Sequence, residues 1–144
     1  MVRLIVGVDG STEAEEAVRA VSERRWPQGS EARIVNTPLA LPPSIANYAV
    51  SETVKCLATE RIRVEQAIAA AAGKLTAAGL AVSTIVKRED VRQLLISEAE
   101  AWRADCIFLG ARGLGALKRF VLGSVSSAVT AHAHCSVEVV RDEG

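Results

Sequence analysis

Residues with the chemistry of a phosphate-binding loop are concentrated between positions 109 and 127 of the chain. An apolar run ends at Gly110, Gly113 follows three residues later, and Gly123-Ser124 opens a predicted helix. Glycine lets the backbone approach a bulky anion closely and adopt a positive φ. The start of a helix supplies unpaired N–H groups and the positive end of the helix dipole. This combination predicts a cradle for a phosphorylated small molecule, above all a nucleotide.

Short apolar runs alternate with amphipathic stretches, which is the pattern of a parallel α/β sheet with helices on both faces. The predicted strands are rich in β-branched residues and cover 2–8, 32–37, 80–86, 106–109 and 136–141. The predicted helices cover a segment that begins at Ser11 or Thr12, then 45–78, 91–103 and 124–133. Asp90 is the expected N-cap of the third helix, and Gly79 is expected to end the second. Arg61 interrupts the apolar stripe of that second helix.

Composition and charge are typical of a soluble globular protein with a single domain over 1–144. The chain is 49% hydrophobic and 24% charged, and it is long enough to bury a substantial core. Its net charge of zero and its 3% aromatic content disfavour binding to nucleic acid or to an anionic membrane. We expect no signal peptide and no membrane span, and the three scattered cysteines indicate reduced thiols. These features favour a cytoplasmic protein.

Four positions fit the spacing G-x2-G-x9-G-S, namely Gly110, Gly113, Gly123 and Ser124. Together with the flanking segments VGVDGS, ADCIFLGARG and LGSVSSAVTAHAHCSVEVVR, this motif resembles the nucleotide-binding signature of the universal stress protein family. The resemblance covers nearly the whole chain. It implies a Rossmann-like, open, five-stranded parallel sheet in the order 3-2-1-4-5. Strands 1 and 4 are then neighbours whose connections diverge, and open α/β sheets bind ligands at such a switch point.

The resemblance also implies which residues would hold ATP or another adenine nucleotide. The turn after the first strand and the end of the second strand would hold the adenine and ribose. Leu109 and Gly110 end the fourth strand, and Gly110 matches a family position close to the ribose. Arg112 could neutralise phosphate charge, and Mg²⁺ would be held mainly through the phosphates and water. The remaining positions are Gly7, Val8, Asp9 and Thr37 for the nucleoside, and Gly113, Gly123, Ser124, Val125 and Ser126 for the triphosphate.

Three departures from the family pattern leave the phosphate cradle intact and bear on the preference for a base. Ala111 stands where a serine is common, which removes one hydroxyl contact. Asn36-Thr37-Pro38 replaces the more usual His-Val pair after the second strand, which reshapes the adenine pocket. Arg88-Glu89-Asp90-Val91 replaces a turn of the Gly-Asp-Pro type.

The leading hypothesis is a nucleotide-binding regulatory protein of the stress response, with slow or no ATP hydrolysis. The sequence has no G-x-x-x-x-G-K-[ST] motif and no carboxylate cluster to hold Mg²⁺ against phosphates. One alternative is a dimeric partner-binding module with a vestigial nucleotide site, in which the glycine loop is only a turn. A second alternative is a slow phosphate-ester hydrolase that uses Asp9 as general base, although Asp9 fits an N-cap role equally well.

The final predicted strand, at 136–141, should lie at a sheet edge, where its three valines invite pairing. The resemblance implies a homodimer through this strand, across a two-fold axis. His132, His134 and Cys135 fit a helix end better than a metal site, because no further ligands lie nearby in sequence.

Overall fold

The computed structural model describes residues 1–38, 51–111 and 123–141, and the side chains of 51–54 are outside this description. The strands are β1 (Arg3–Gly7), β2 (Glu31–Asn36), β3 (Ala81–Val86), β4 (Cys106–Gly110) and β5 (Ser136–Val140). The helices are α1 (Thr12–Ser22), α2 (Ser51–Ala77), α3 (Val91–Trp102) and α4 (Ser124–His132). The bounds agree with the predicted ones to within a residue, apart from the predicted start of α2 at 45–50, which lies outside the described residues.

The strands form one parallel sheet in the order β3-β2-β1-β4-β5, as predicted. β1 is central, and its Ile5 lies between Arg33 of β2 and Ile107 of β4. The chain passes from β1 to β2 on one side and reaches β4 on the other side. The connections therefore diverge between β1 and β4, which creates the switch point and sets the carboxyl ends of these two strands side by side.

Each face of the sheet has its own helical layer, because a parallel sheet must be covered on both sides. Alternate residues of β1 enter different cores: Leu4 and Val6 pack under α1 and α2, while Ile5 packs under α3 and α4. Phe108 is the largest fully buried side chain among the described residues, and it lies in the core beneath α1 and α2. The second core lies between the other face of the sheet and α3 and α4, and it includes Leu94, Leu95, Ile107 and Val129.

Capping residues fix where the helices begin and end. Ser11 is the N-cap of α1, and its Oγ accepts a hydrogen bond from Ala14 N–H at 3.1 Å. Asp90 is the N-cap of α3, and its Oδ1 accepts from Arg92 N–H at 2.9 Å. Gly79 follows α2 with a left-handed φ of +92°, a conformation that glycine adopts at little cost. These three predictions from local sequence are confirmed.

The long helix α2 is packed chiefly through its second half. Ala71 and Leu75 are buried, whereas Ile62 is 55% exposed. Arg61 points to solvent and forms an ion pair with Glu65 at 3.8 Å. Among the helices of the described ranges, none combines the length and the apolar character needed to cross a membrane.

The strand β5 lies at one edge of the sheet, as predicted, and β3 lies at the other. Glu138 of β5 pairs with Arg24, which follows α1 in the chain. The Arg24 guanidinium also lies 5.2 Å from the centroid of the Phe108 ring. The segment after α1 therefore holds one face of this edge strand against the core.

Candidate functional site

The carboxyl ends of β1 and β4 border the site that the sequence predicts. The two strands pair in parallel and end next to each other. Beyond β1, Val8 N–H donates to Val35 O at 3.1 Å, which keeps Val8 aligned with β2. Beyond β4, Ala111 N–H donates to Val140 O at 2.8 Å. The switch point therefore lies between the turn that follows Val8 and Ala111, which directly follows β4.

A tight turn of residues 9–11 joins β1 to α1. Asp9 Oδ1 accepts two hydrogen bonds from Ser11, one from its N–H at 2.9 Å and one from its hydroxyl at 2.5 Å. Gly10 has a φ of +86°, which side chains rarely tolerate. Ser11 is thus the N-cap, and Asp9 supports it from two residues earlier. Asp9 therefore supports α1 by holding its N-cap residue. No described residue donates a hydrogen bond to the second carboxylate oxygen, Oδ2 of Asp9.

Gly110 lies directly beneath the first turn of α1. A Cβ at this position would be 2.6 Å from Glu13 Cβ and 2.7 Å from the Glu13 carbonyl carbon. Gly7 is also tight, but the atom in its way is the Cδ2 of the Leu109 side chain, at 2.7 Å. The absence of a side chain at Gly110 is therefore required by the packing of α1 on β4.

The N-terminus of α4 is attached to the end of β4. Gly123 is the N-cap, and its N–H donates to Ala111 O at 2.7 Å. Glycine provides no side chain to cap the helix. The N–H groups of Ser124 and Val125, at the first two helical positions, have no acceptor within the helix. These donors and the positive end of the helix dipole suit an anion at the carboxyl edge of the sheet.

Ser126 has a structural use that the sequence does not reveal. Its side chain is 3% exposed, and its hydroxyl is shared between Gly110 O and Ala111 O, each at 2.9 Å. The hydroxyl therefore fixes α4 to the end of β4. Because the hydroxyl is turned inward, only the backbone N–H of Ser126 is left for the expected contact with the triphosphate.

The Asn36 side chain ties the end of β2 to the end of β1. In the sequence, Asn36 stands out only because it departs from the family pattern. The buried Asn36 side chain donates through Nδ2 to Val8 O at 2.7 Å. Thr37 follows directly and is half-buried. The contact holds the end of β2, directly before Thr37, against Val8 at the end of β1.

Arg63 of α2 reaches the turn after β1, and sequence reasoning missed it. Its Nη1 donates to Gly10 O at 2.7 Å, and Glu60 pairs with the same guanidinium from one helical turn earlier. The hydrogen bond with Glu60 raises the pKa of Arg63, and the charges of Glu60, Asp9 and Glu15 add to this effect. The Arg63 partner correspondingly lowers the pKa of Glu60. The Arg63 guanidinium thus faces several carboxylates around this turn.

Arg112 and Gly113, two of the predicted phosphate contacts, lie outside the described residues. Leu109 is 5% exposed and packs in the core beneath α3 and α4, so its side chain is part of the scaffold. Within the described ranges, no group of three or more His, Cys, Asp or Glu side chains is placed to hold a metal ion.

A cavity of about 120 Å³ lies between α1 and α2, beneath the turn after β1. Small side chains on both helices, including Ala14, Ala67 and Ala71, leave this gap. Val8, a predicted contact of the nucleoside, lines the cavity together with Gly10 and Ser11, and none of the described residues predicted to contact the phosphates does. The cavity therefore adjoins the predicted nucleoside side of the site through the turn after β1.

A family model described as the universal stress protein family matches residues 1–141 of the chain. The chain belongs to the universal stress protein family. A universal stress protein of Mycolicibacterium smegmatis is 34% identical over 150 residues, a match that includes 97% of this chain. The chain spans 48% of the length of that relative.

Solved structures of universal stress proteins share the fold. One, from Arabidopsis thaliana with AMP bound, is 16% identical with a TM-score of 0.71, and the match covers 100% of this chain and 94% of the other. Another, in complex with cAMP, is 20% identical with a TM-score of 0.63, and the match covers 97% and 96% of the two chains. At these identities the likeness establishes the architecture of the sheet and its helices.

Proposed function

We propose that this chain binds an adenine nucleotide at the carboxyl ends of β1 and β4, with its phosphates at the N-terminus of α4. The observation that carries the proposal is the uncapped start of α4, fixed to β4 through the bond from Gly123 N–H to Ala111 O. Unpaired N–H donors at a switch point suit a phosphate group. Two family members with the same fold contain AMP or cAMP, which supports an adenine nucleotide.

The nucleoside would lie on the β1 and β2 side of the site. The bond from Asn36 to Val8 O, which ties the ends of β1 and β2 together, supports this placement. Asp9 retains a carboxylate oxygen to which no described residue donates, and a carboxylate accepts hydrogen bonds from sugar hydroxyls. The proposed contacts are Gly7, Val8, Asp9, Thr37 and Gly110 for the nucleoside, and Arg112, Gly113, Gly123, Ser124, Val125 and Ser126 for the phosphates.

The proposed role is regulatory, with ATP bound and hydrolysed slowly or not at all. The described cradle supplies N–H donors, which fit phosphate oxygens and do not bind a cation. Mg²⁺ would therefore be held mainly through the phosphates and water. One oxygen of Asp9 already accepts two hydrogen bonds from Ser11, which disfavours Asp9 as a general base.

One alternative, a partner-binding module with a vestigial site, draws support from Gly110 and Ser126. Both have structural explanations that involve no ligand, since Gly110 makes room for Glu13 and Ser126 fixes α4. With either function, we propose that the chain is a single domain over 1–144 that acts in the cytoplasmic stress response. The proposal also includes a homodimer through the 136–141 strand, and light scattering should give twice the mass of the chain.

The first experiment measures nucleotide content and thermal stability on one preparation. Denatured protein should release an adenine nucleotide, or added Mg-ATP should raise the melting temperature. A ligand at about 100 times its Kd adds roughly 2.7 kcal/mol to the free energy of unfolding. The shifts in melting temperature with ATP, ADP, AMP and cAMP then show which phosphate groups the site prefers.

Substitutions at Ser124 test the cradle itself. Ser124→Pro removes one N–H at the first helical position, where proline is well tolerated, and the extended Gly123 (φ −65°, ψ 162°) can precede a proline. Ser124→Ala is the matched control because it keeps the N–H and removes only the hydroxyl. The proline variant should bind nucleotide about tenfold more weakly at unchanged melting temperature. Equal affinity in both variants would mean that the Ser124 N–H takes no part in binding, and the proposed place of the phosphates would be wrong. Absence of nucleotide binding in wild type would instead point to the partner-binding alternative.

A further inference from the structure

Within the residues that the structure describes, one side-chain hydrogen bond joins the first half of α2 to another part of the protein. The side chains of 55–66 are mostly exposed, and the core contacts of the helix begin at Ala67 and Ile68. Among described side chains, Arg63 makes the only hydrogen bond from α2 to another element, and its acceptor is Gly10 O. The exposed half of α2 is thus linked directly to the turn that follows β1.

The Arg63 side chain is itself held in place before it reaches the turn. Its Nε lies 3.1 Å from Glu60 Oε1 and 3.2 Å from Glu60 Oε2, and its Nη2 also pairs with that carboxylate. Nη1 is left to donate to Gly10 O at 2.7 Å. A planar guanidinium fork can serve both partners at once, whereas a lysine ammonium cannot hold both in the same geometry.

The turn fits the guanidinium closely. A Cβ at Gly10 would be 3.1 Å from Nη1 and 3.2 Å from Nη2 of Arg63, so the glycine leaves the space that the guanidinium fills. Gly10 also has the left-handed φ that allows the Asp9 carboxylate to receive both donors of Ser11. Holding the Gly10 carbonyl therefore holds the backbone on either side of it.

We infer that Arg63 is a positioning residue, which keeps the 9–11 turn in the conformation that receives a nucleotide and links that turn to the exposed half of α2. The inference deepens the proposed nucleotide site and, for its effect on affinity, rests on that function. Arg63 also places a positive charge beside Asp9, Glu15 and Glu60, and this charge offsets carboxylates that would repel an anionic ligand near the turn. Its loss should therefore weaken ATP binding more than AMP binding.

The test compares Arg63→Gln with Arg61→Gln. Arg61 is on the same helix and is also exposed, but its ion pair is with Glu65 of its own helix. Hydrogen–deuterium exchange of the ligand-free protein should be about tenfold faster at Ser11 and Ala14 in R63Q and unchanged in R61Q. The melting temperature should change little in either variant.

Titration calorimetry with ATP and AMP supplies the second measurement. R63Q should bind ATP about tenfold more weakly than wild type, with a smaller loss for AMP, and R61Q should match wild type. Arg63→Lys keeps the charge and N–H donors but lacks the planar fork, so it should retain part of both the affinity and the protection from exchange.

The outcomes separate this inference from the proposed function. If wild type binds no adenine nucleotide, the proposed function fails, and the exchange comparison still decides whether Arg63 holds the turn. If exchange rates are the same in R63Q and wild type, the positioning role is wrong. If exchange is faster in R63Q but ATP affinity is unchanged, the order of the turn is not used in binding, and the inference is overturned.

Discussion

The backbone of Glu13 runs so close to Gly110 that no side chain fits between α1 and β4. A Cβ on Gly110 would be 2.7 Å from the carbonyl carbon of Glu13 and 2.9 Å from its oxygen. These are backbone atoms at the start of a helix, so they cannot rotate aside. The first glycine of the phosphate motif therefore determines how α1 packs, in addition to any part it has in binding.

Gly110→Ala should lower the free energy of unfolding by about 3 kcal/mol, because α1 must shift to accept the methyl group. Gly7→Ala should cost about 1 kcal/mol, since its obstacle is the far end of the Leu109 side chain, which can change rotamer. Urea unfolding of the two variants measures the difference. Similar losses in both would show that α1 yields as easily as a leucine side chain.

Gly73→Ala serves as the control for the Gly110 and Gly7 variants, and we expect it to stabilise the protein. Gly73 lies within α2, and no atom is within 4 Å of a Cβ built there. Alanine is favoured over glycine in a helix by about 0.5–1 kcal/mol, so the variant should be more stable than wild type. A loss of stability in urea would contradict the packing of this part of α2.

The sheet order and the helix starts could be predicted because they depend on local patterns and on the resemblance to a known family. Ser11 and Asp90 cap their helices through residues two or three positions away. The contacts that shape the site could not be predicted in this way. Asn36 and Val8 are 28 residues apart, and the bond between them depends on the pairing of β1 with β2.

The contact of Arg63 with Gly10 could not be predicted from local sequence either, since the two residues are 53 positions apart. The position of Arg63 off the apolar stripe of α2 indicates only a solvent-facing residue. The structural reason for Gly110 was likewise missed, because it depends on how closely α1 approaches β4. Sequence patterns identify the loops of the site, and tertiary packing decides which atoms in them remain free.

Asp9→Asn distinguishes a binding role from a catalytic one. Asparagine keeps an oxygen that can accept from both donors of Ser11, so the turn should persist and the melting temperature should change little. Under the proposed function, wild-type ATP turnover is below about 1 per second and the variant does not change it. Release of phosphate from Mg-ATP measures both rates. Metal-dependent turnover that disappears in D9N would instead support the hydrolase alternative.

Asp90 gives a prediction about pH. The hydrogen bond from the Arg92 side chain, together with the Arg92 N–H, lowers the pKa of Asp90 from 3.8 to about 2. Because the folded-state pKa is the lower one, the charged cap stabilises the fold above pH 3.8 and is lost as the pH falls towards 2. Carboxyl NMR titration should place the midpoint near 2 in wild type. Arg92→Gln should raise it towards 3.8, while the control Arg88→Gln should leave it in place.

The three cysteines should differ in reactivity according to burial. Desolvation raises the pKa of Cys106 to about 11, and it also raises the pKa of Cys135, whereas Cys56 is exposed on α2. Since the thiolate is the reactive form, about a thousandth of Cys106 is reactive at pH 8. A thiol-specific chromogenic reagent should therefore give one fast phase. Cys56→Ser should abolish that phase and Cys106→Ser should leave it intact. A fast phase that survives in C56S would mean that Cys106 or Cys135 is more accessible in the native protein than its burial indicates.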